Sequence, residues 1–174
     1  MATEDSNPTA DRLKEEFPDA VIAVREMAGE QTVVVHRERI VDILRFLRDD
    51  EELRYNFLAD LTAVDFLGRV PRFEVVYHLL SMPNKRRVRL KVLVEDGAPA
   101  PSVVGVYPAA NFLEREVYDL FGIEFDGHPS LRRILMPEDW EGHPLRKDYP
   151  LGDEPVAFSH NEDRIYRDKP FVED

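Results

Sequence analysis

The sequence has no cysteine among its 174 residues. Disulfide bonds, thiol catalysis and a cysteine-ligated iron–sulfur cluster are therefore excluded for this chain. An excess of basic residues is also missing, since the formal net charge is -12. Nucleic-acid binding draws most of its affinity from neutralising phosphates, so a chain this acidic is a poor candidate for it.

Long apolar runs are absent too. No window approaches the roughly 18 apolar residues that a membrane-spanning helix needs. The opening residues are acidic and have no apolar stretch, so they predict neither a secretory signal nor an organellar leader. The motifs of serine nucleophiles, dinucleotide-binding turns and triphosphate-binding loops are missing as well. The missing membrane span predicts a soluble or peripheral protein, and the missing motifs leave no obvious nucleophile or nucleotide-binding loop.

The patterns that are present indicate both helices and strands. Apolar residues at helical spacing between positions 40 and 47 predict an amphipathic helix. Strict alternation over 73–79 and 88–94, around a turn at 81–85, predicts a β-hairpin. Further signals indicate a helix at 11–17, a hairpin over 20–35, a strand at 55–67, a loop at 96–102 and a helix at 109–121. This order predicts an α+β fold, with a mainly antiparallel or mixed sheet and flanking helices, followed by a long irregular C-terminal arm.

Composition divides the chain into four parts. We predict a flexible N-terminal tail at 1–8, an α+β domain at 9–122, an extended partner-binding arm at 123–151 and an acidic tail at 152–174. An irregular run as long as the arm is usually functional or disordered. Disorder fits poorly, because apolar side chains such as Ile134 and Leu135 are costly to keep solvated. We expect the arm to become ordered on a partner, and to be mobile and open to proteolysis in the free subunit.

A helical wheel of the last helix places one carboxylate at the edge of its buried face. Glu116 falls between Phe112 and Leu120, whereas Arg115 points away from the apolar arc. A buried carboxylate needs a partner. Four basic side chains of the arm are available: Arg132, Arg133, Arg146 and Lys147. We predict that Glu116 pins the arm to the domain, and a general acid or base role is the alternative.

The tripeptide Gly-His-Pro occurs twice in the arm, at 127–129 and 142–144. We predict that His128 and His143 shape turns, each ring bonding a backbone group. The alternative is a metal site formed with the nearby acids Glu138, Asp139 and Asp148, as in a free-standing metal-dependent hydrolase. Trp140 lies between the two copies. We predict that it anchors an interface, because aromatic residues dominate interface energetics, with packing onto its own domain as the alternative.

Three segments resemble a known family. They are EREVYDLFGI at 114–123, GHPSLRRIL at 127–135 and PEDWEGHPLRKDYPL at 137–151. Together they closely resemble the C subunit of NADH–quinone oxidoreductase, which belongs to the peripheral arm of respiratory complex I. Two departures stand out: Phe112 occupies a position where many members carry Trp, and the residues after Leu151 do not follow the family pattern.

The resemblance implies a non-catalytic subunit within an enzyme complex, a proton-translocating NADH–quinone oxidoreductase. This chain would hold no cofactor or metal, and other subunits would bind FMN, iron–sulfur clusters, NADH and quinone. Its expected partners are the large quinone-site subunit, of the D type, and other peripheral-arm subunits. The expected location is the cytoplasmic side of a bacterial cell membrane, reached through the complex. The homologous subunit of a membrane-bound hydrogenase, or of an oxidoreductase using coenzyme F420 or plastoquinone, is the alternative.

One set of residues is expected to make the contacts and position the arm, with no catalytic role. It consists of Glu114, Arg115, Glu116, Asp119, His128, Arg132, Arg133, Trp140, His143, Arg146, Lys147 and Asp148.

Overall fold

The computed structural model of the chain describes residues 7–150. Its elements are α1 (Thr9–Glu16), β1 (Val21–Met27), β2 (Glu30–Val35), a 3₁₀ turn (Arg37–Arg39), α2 (Ile40–Asp49), β3 (Phe57–Asp65), β4 (Phe73–Ser81), β5 (Arg86–Val94), β6 (Ala100–Pro101), α3 (Ala110–Phe121) and β7 (Phe125–Asp126). This mixture confirms the predicted α+β class. The predicted acidic tail and most of the predicted N-terminal tail lie outside the described residues.

Strands β1 to β5 form one sheet in the order β1-β2-β5-β4-β3. Both predicted hairpins are confirmed, because β1 pairs with β2 and β4 pairs with β5 in antiparallel register. The β2–β5 pair is parallel, with Gln31 opposite Val88 and Val35 opposite Val92. The sheet is therefore mixed, and the parallel pair joins two hairpins that are far apart in sequence.

The core lies on one face of the sheet. Alternate residues of β5, from Val88 to Val94, are buried in one core cluster that also contains residues of all three helices. Helix α2 confirms its predicted apolar stripe, because its four apolar residues at helical spacing are fully buried: Ile40, Ile43, Leu44 and Leu47. The opposite face of β5 carries Arg89 and Lys91. Their partners Glu30 and Glu74 lie 2.9 and 2.8 Å away, as on a solvated sheet face.

Ordered contacts reach back beyond the predicted start of the domain at residue 9. The side-chain amide of Asn7 donates to the carbonyl oxygen of Arg87 at 3.0 Å. The Gln31 amide donates in turn to the carbonyl oxygen of Asn7 at 2.7 Å. Residues 7 and 8 therefore belong to the folded domain, which corrects the predicted boundary of the tail.

Helix α3 ends as predicted at Gly122, whose φ of 75° is left-handed. The chain then returns to the core, because Ile123 and Phe125 are buried. Strand β7 pairs in parallel with β6. Strand β6 lies within residues 96–102, which the sequence predicted as a loop. The first residues of the predicted arm, 123–126, are therefore packed on the core. Within residues 7–150, no helix is both long and apolar enough to cross a membrane.

Candidate functional site

The arm, residues 123–150 as described, passes along α3 and reaches the end of the sheet near the β3–β4 connection. After β7 it contains turns and bends only. Its contacts lie at Asp119 and Arg115 of α3, at both ends of α3 through His128 and His143, and around Arg72. They tie the arm to its own domain.

The first contact is made by a buried carboxylate. Asp119 has no exposed surface. Its Oδ2 atom accepts the backbone N–H groups of residues 134–136 at 2.9, 2.8 and 2.9 Å. Its Oδ1 atom lies 2.8 Å from Nη1 of Arg133. Burial alone would raise the pKa of Asp119, but these donors outweigh it and hold the pKa below its usual value, so the group stays charged.

The residue that pins the arm is Asp119, and the prediction that Glu116 does so is wrong. Glu116 is exposed, whereas Glu114 and Asp119 are fully buried. The wheel argument failed because it considered only the apolar arc of α3. The arm covers the Asp119 side of this helix, and the segment at 102–103 covers the Glu114 side.

Glu114 is buried, and no basic side chain within residues 7–150 pairs with it. Its carboxylate accepts the Ser102 hydroxyl at 2.7 Å and the backbone N–H of Val103 at 2.6 Å. Burial raises the pKa of the carboxyl to about 7, since these two bonds only partly offset the loss of water. Through these two bonds Glu114 holds the segment before α3, and its side chain does not contact the arm. A second buried polar group, the phenol oxygen of Tyr77, has no hydrogen-bond partner among the described residues.

Arg115 reaches the arm from the outer side of α3. Its Nε and Nη2 atoms donate to the carbonyl oxygens of Arg132 and Arg133 at 3.1 and 3.2 Å. Its guanidinium also lies 5.8 Å from the centre of the Phe112 ring. Arg133 continues the chain of contacts by donating to the carbonyl oxygen of Gly142 at 2.9 Å. The sequence placed Arg115 correctly away from the apolar arc, but it gave no sign of these carbonyl partners.

Both histidines bond backbone groups, as predicted. Nδ1 of His128 accepts the N–H of Ser130 at 3.0 Å, so its Nε2–H donates to the carbonyl oxygen of Asn111 at 3.1 Å. Nδ1 of His143 lies 2.9 Å from the carbonyl oxygen of Asp119. These bonds occupy both ring nitrogens of His128 and one of His143, which the metal alternative would need. Within residues 7–150, histidine and acidic side chains nowhere gather in threes at metal-binding distance.

The second contact is at the end of α3. The ring of His143 fills the space beside Gly122, where an added Cβ atom would lie 2.6 Å from its Cδ2 atom. The backbone N–H of Leu145 donates to the carbonyl oxygen of Leu120 at 3.0 Å. The arm thus caps carbonyl groups that the end of a helix leaves without partners. Gly122 therefore has two roles, since it ends α3 and leaves room for His143.

The third contact is centred on Arg72, which sequence reasoning missed. Its guanidinium binds Asp65 through both oxygens, at 2.8 and 2.7 Å. The same guanidinium lies 2.8 Å from Asp96 and 2.8 Å from Asp148 of the arm. Arg146 joins the cluster, 2.6 Å from Asp96 and 3.2 Å from Asp148. The Pro-Arg-Phe context of position 72 offered no signal, because two of the three acidic partners, Asp96 and Asp148, are distant in sequence.

The charges in this cluster fix one another. Hydrogen bonds from Arg72 hold the pKa values of Asp65 and Asp148 below their usual range. Arg146 does the same for the pKa of Asp96. The backbone N–H of Lys147 also donates to Asp65 at 2.8 Å. The predicted arm residues Arg146, Lys147 and Asp148 are therefore brought together, but on their own domain.

The surface that faces away from these contacts is partly apolar. Leu135 is 60% exposed, Leu145 52% and Ile134 36%, while Phe112 of α3 is 61% exposed. Arg132 and Lys147 of the arm are exposed as well. Trp140 is half-buried, and its indole Nε1 is inaccessible and has no acceptor among the described residues. Contacts within the chain thus engage Arg133, Arg146 and Asp148 of the arm, and they leave Ile134, Leu135 and Leu145 exposed.

These features define a class: a two-layer α+β protein whose irregular C-terminal segment is fastened to its own helix and sheet. The chain belongs to the family of the 30 Kd subunit of respiratory-chain NADH dehydrogenase, whose model matches residues 33–155. Curated relatives named as the C subunit of NADH-quinone oxidoreductase agree. The protein of Roseiflexus sp. (strain RS-1) is 58% identical over 98% of both chains. That of Herpetosiphon aurantiacus is 50% identical over 94% of this chain and 95% of its own.

A solved structure shares the fold. It comes from the membrane-bound sulfane sulfur reductase, described as an archaeal respiratory membrane complex. Its chain superposes with a TM-score of 0.69, is 26% identical, and the match covers 95% of this chain and 94% of that one. The α+β architecture is therefore shared with a subunit of a respiratory assembly.

Proposed function

We propose that this chain is a non-catalytic structural subunit in the peripheral arm of a proton-translocating NADH–quinone oxidoreductase. One observation carries the proposal: Arg133, His143, Arg146 and Asp148 of the arm are bonded to its own domain, while Ile134, Leu135 and Leu145 stay exposed. Solvated apolar side chains on a fixed segment are typical of a docking surface. The relatives at 50–58% identity, all named as subunits of this oxidoreductase, support the choice of assembly.

The proposed partner is the large quinone-site subunit, with other peripheral-arm subunits as further neighbours. The proposed docking surface combines the exposed apolar residues Leu135 and Leu145 with the exposed cations Arg132 and Lys147. Stable protein interfaces likewise combine apolar and charged side chains. Because the domain already holds the arm, less ordering entropy is lost on binding than for a disordered segment.

In this proposal, other subunits carry out the redox chemistry of the complex. FMN, iron–sulfur clusters, NADH and quinone would bind elsewhere, and this chain would reach the cytoplasmic side of the membrane through its partners. With Glu114 buried in the core and Asp119 saturated by four donors, neither buried carboxylate of α3 is free to exchange protons with a substrate. Their chemistry supports a positioning role.

A related machine is the second candidate, because the similar solved chain belongs to a sulfur-reducing respiratory complex. A membrane-bound hydrogenase, or an oxidoreductase using coenzyme F420 or plastoquinone, would employ the same fold in the same way. The much higher identity to NADH–quinone oxidoreductase subunits favours the first candidate. Mass identification of the subunits that co-purify with the tagged native chain separates the two.

The test replaces Leu135 or Leu145 with Asp in the tagged chain, expressed from its own locus. A charge at the centre of the interface should lower the yield of assembled complex and the NADH–quinone reductase activity of membranes in parallel. Met82→Asp is the matched control, since Met82 is 59% exposed on a turn at the other end of the sheet. The purified free variants should keep their circular dichroism spectra. Normal assembly with both arm variants would refute the proposal.

Cofactor content is checked separately. The purified free chain should have no visible absorption and no stoichiometric metal, and it should not oxidise NADH. A bound redox group or metal ion would overturn the non-catalytic assignment.

A further inference from the structure

A second exposed apolar feature lies outside the arm, on the connection between β3 and β4. This β3–β4 turn, residues 66–71, carries Val70, which is 90% exposed, and Leu67, which is 52% exposed. The turn has internal bonds: the N–H of Arg69 donates to the carbonyl oxygen of Phe66 at 2.9 Å. The Arg69 guanidinium also stacks 4.3 Å from the centre of the Phe66 ring. Phe66 is thereby covered, whereas Val70 faces solvent.

The arm crosses the base of this turn. Asp65 and Arg72 are the residues on either side of it, and the N–H of Phe66 donates to the carbonyl oxygen of Arg72 at 2.9 Å. The arm binds both flanking residues, Asp65 through the N–H of Lys147 at 2.8 Å and Arg72 through Asp148 at 2.8 Å. The turn and the end of the arm therefore form one connected structure.

Chain geometry limits how far Val70 lies from the exposed Leu145 of the arm. Val70 is two residues from Arg72, so their Cα atoms are at most about 7 Å apart. Leu145 is three residues from Asp148, so those two Cα atoms are at most about 11 Å apart. Arg72 and Asp148 are joined by a side-chain contact of 2.8 Å. A standard interface buries about 800 Å² on each partner, a patch roughly 30 Å across. One partner of that size is wide enough to contact both Leu145 and Val70.

We propose that the β3–β4 turn and the arm form a single docking surface, and that the subunit bound by the arm receives Val70 and Leu67 in an apolar pocket. This inference rests on the proposed function, because it assigns a second contact to the same partner. Val70 has the exposure that an anchor needs, since nearly all of its side chain would leave water on binding.

The chain provides a matched comparison at the other end of strand β4. The β4–β5 turn also exposes a large apolar side chain, Met82, at 59%. Nine residues of β4 separate the two turns, a length of about 30 Å. The arm does not pass there, since its contacts lie with Arg72 and α3. If exposure alone attracted partners, Val70 and Met82 would behave alike.

The experiment uses photo-crosslinking in cells that assemble the complex. The photoreactive residue p-benzoylphenylalanine replaces Val70, Leu135 or Met82, one position at a time, and each cross-linked neighbour is identified by mass. We expect positions 70 and 135 to capture the same subunit, and position 82 not to capture it. No cross-link at 70, a link to a different subunit, or a link to a second copy of this chain would overturn the inference.

The outcomes separate the two proposals. A link from 135 without one from 70 overturns this inference and leaves the arm as a docking surface. The absence of any link from 135 overturns the proposed function, and the shared surface with it.

As a second measure, Val70→Asp should lower incorporation into the complex about tenfold, as for the loss of an interface anchor, while Met82→Asp leaves it unchanged. Equal incorporation of the two variants contradicts the inference.

Discussion

Nη1 of Arg133 lies 2.8 Å from Oδ1 of Asp119, and the carboxylate it binds is fully buried. Taking charges out of water is tolerated only when other donors and acceptors replace the water. Among the residues that the structure describes, Asp119 obtains its replacements from the arm: the Arg133 guanidinium and the N–H groups of residues 134–136. The position of the arm and the solvation of this carboxylate therefore depend on each other.

The first prediction concerns this contact. Asp119→Asn keeps the size of the side chain but removes its charge, leaving Arg133 without its counter-ion. We expect a loss of unfolding free energy on the order of 2 kcal/mol, and faster proteolysis within residues 127–142 of the free subunit. Limited proteolysis followed by mass mapping measures the second effect. Glu116→Gln is the control, because Glu116 is exposed on the same helix, and equal cleavage of the two variants would refute the role assigned to Asp119.

For the free wild-type subunit, the structure changes the expectation about proteolysis that was drawn from the sequence. The sequence predicts a mobile arm, but the contacts at Asp119, His143 and Arg72 give it anchors within its own domain. We therefore expect the wild-type arm to resist proteases at concentrations that cut Asp119→Asn.

The second prediction concerns the Arg72 cluster. Arg72→Lys keeps a positive charge but cannot bind Asp65 through two parallel hydrogen bonds and still reach Asp96 and Asp148. We expect a cost of about 3 kcal/mol and faster amide exchange in residues 146–150, measured by mass spectrometry. Arg45→Lys, a substitution at an exposed position of α2, should change neither the unfolding free energy nor the amide exchange rate. If residues 146–150 of Arg72→Lys exchanged as slowly as those of wild type, the cluster would not hold the arm.

The third prediction separates two reasons why Gly122 is glycine. Gly122 and Gly97 have similar left-handed φ angles, 75° and 79°, but only Gly122 faces another residue, His143. Gly97→Ala should therefore cost about 1 kcal/mol from backbone conformation alone. Gly122→Ala should cost on the order of 3 kcal/mol, because the His143 ring must also move. Urea unfolding gives both values, and the NMR signals of His143 should shift in Gly122→Ala only.

The fourth prediction concerns pH. Burial raises the pKa of Glu114 to about 7 in the folded chain, from 4.5 as the ordinary value. Between these values the folded state holds a proton that the unfolded state releases, so the contribution of Glu114 to stability declines as pH rises through that window. The unfolding free energy declines by about 1.4 kcal/mol for each unit by which the pKa of Glu114 in the folded state exceeds its pKa in the unfolded state.

The measurement compares wild type with Glu114→Gln by urea unfolding at pH 5 and pH 8. Because Gln does not titrate, other groups cancel when the variant's unfolding free energy is subtracted from that of wild type. The difference should be smaller at pH 8 than at pH 5. A difference that stays constant, or grows with pH, would show that Glu114 is not buried in its neutral form.

The parts of the fold that were predictable are those set by local patterns. The stripe of α2, the alternation of β4 and β5 and the stop at Gly122 each follow from neighbours within one element. The parallel pairing of β2 with β5 was not predictable, because it depends on packing between distant hairpins. Strands β6 and β7 are two residues each, too short for any periodicity.

The candidate site divides in the same way. Turn chemistry around His128 and His143 could be predicted, since the Gly-His-Pro context restricts the backbone locally. The choice among Glu114, Glu116 and Asp119 could not, because it depends on which segments cover α3. Arg72 was missed for a related reason: its partners are acids from three separate parts of the chain, and no spacing rule connects them.

Arg72 also sets an order of events during synthesis. Its three acidic partners are 7 residues before it and 24 and 76 residues after it. On the ribosome the guanidinium meets Asp65 at once and Asp96 soon afterwards, but Asp148 emerges only when the sheet and α3 are already complete. The arm is thus the last part to be fastened, and a nascent chain that stalls before Asp148 emerges leaves the Arg72 cluster open on an otherwise finished domain.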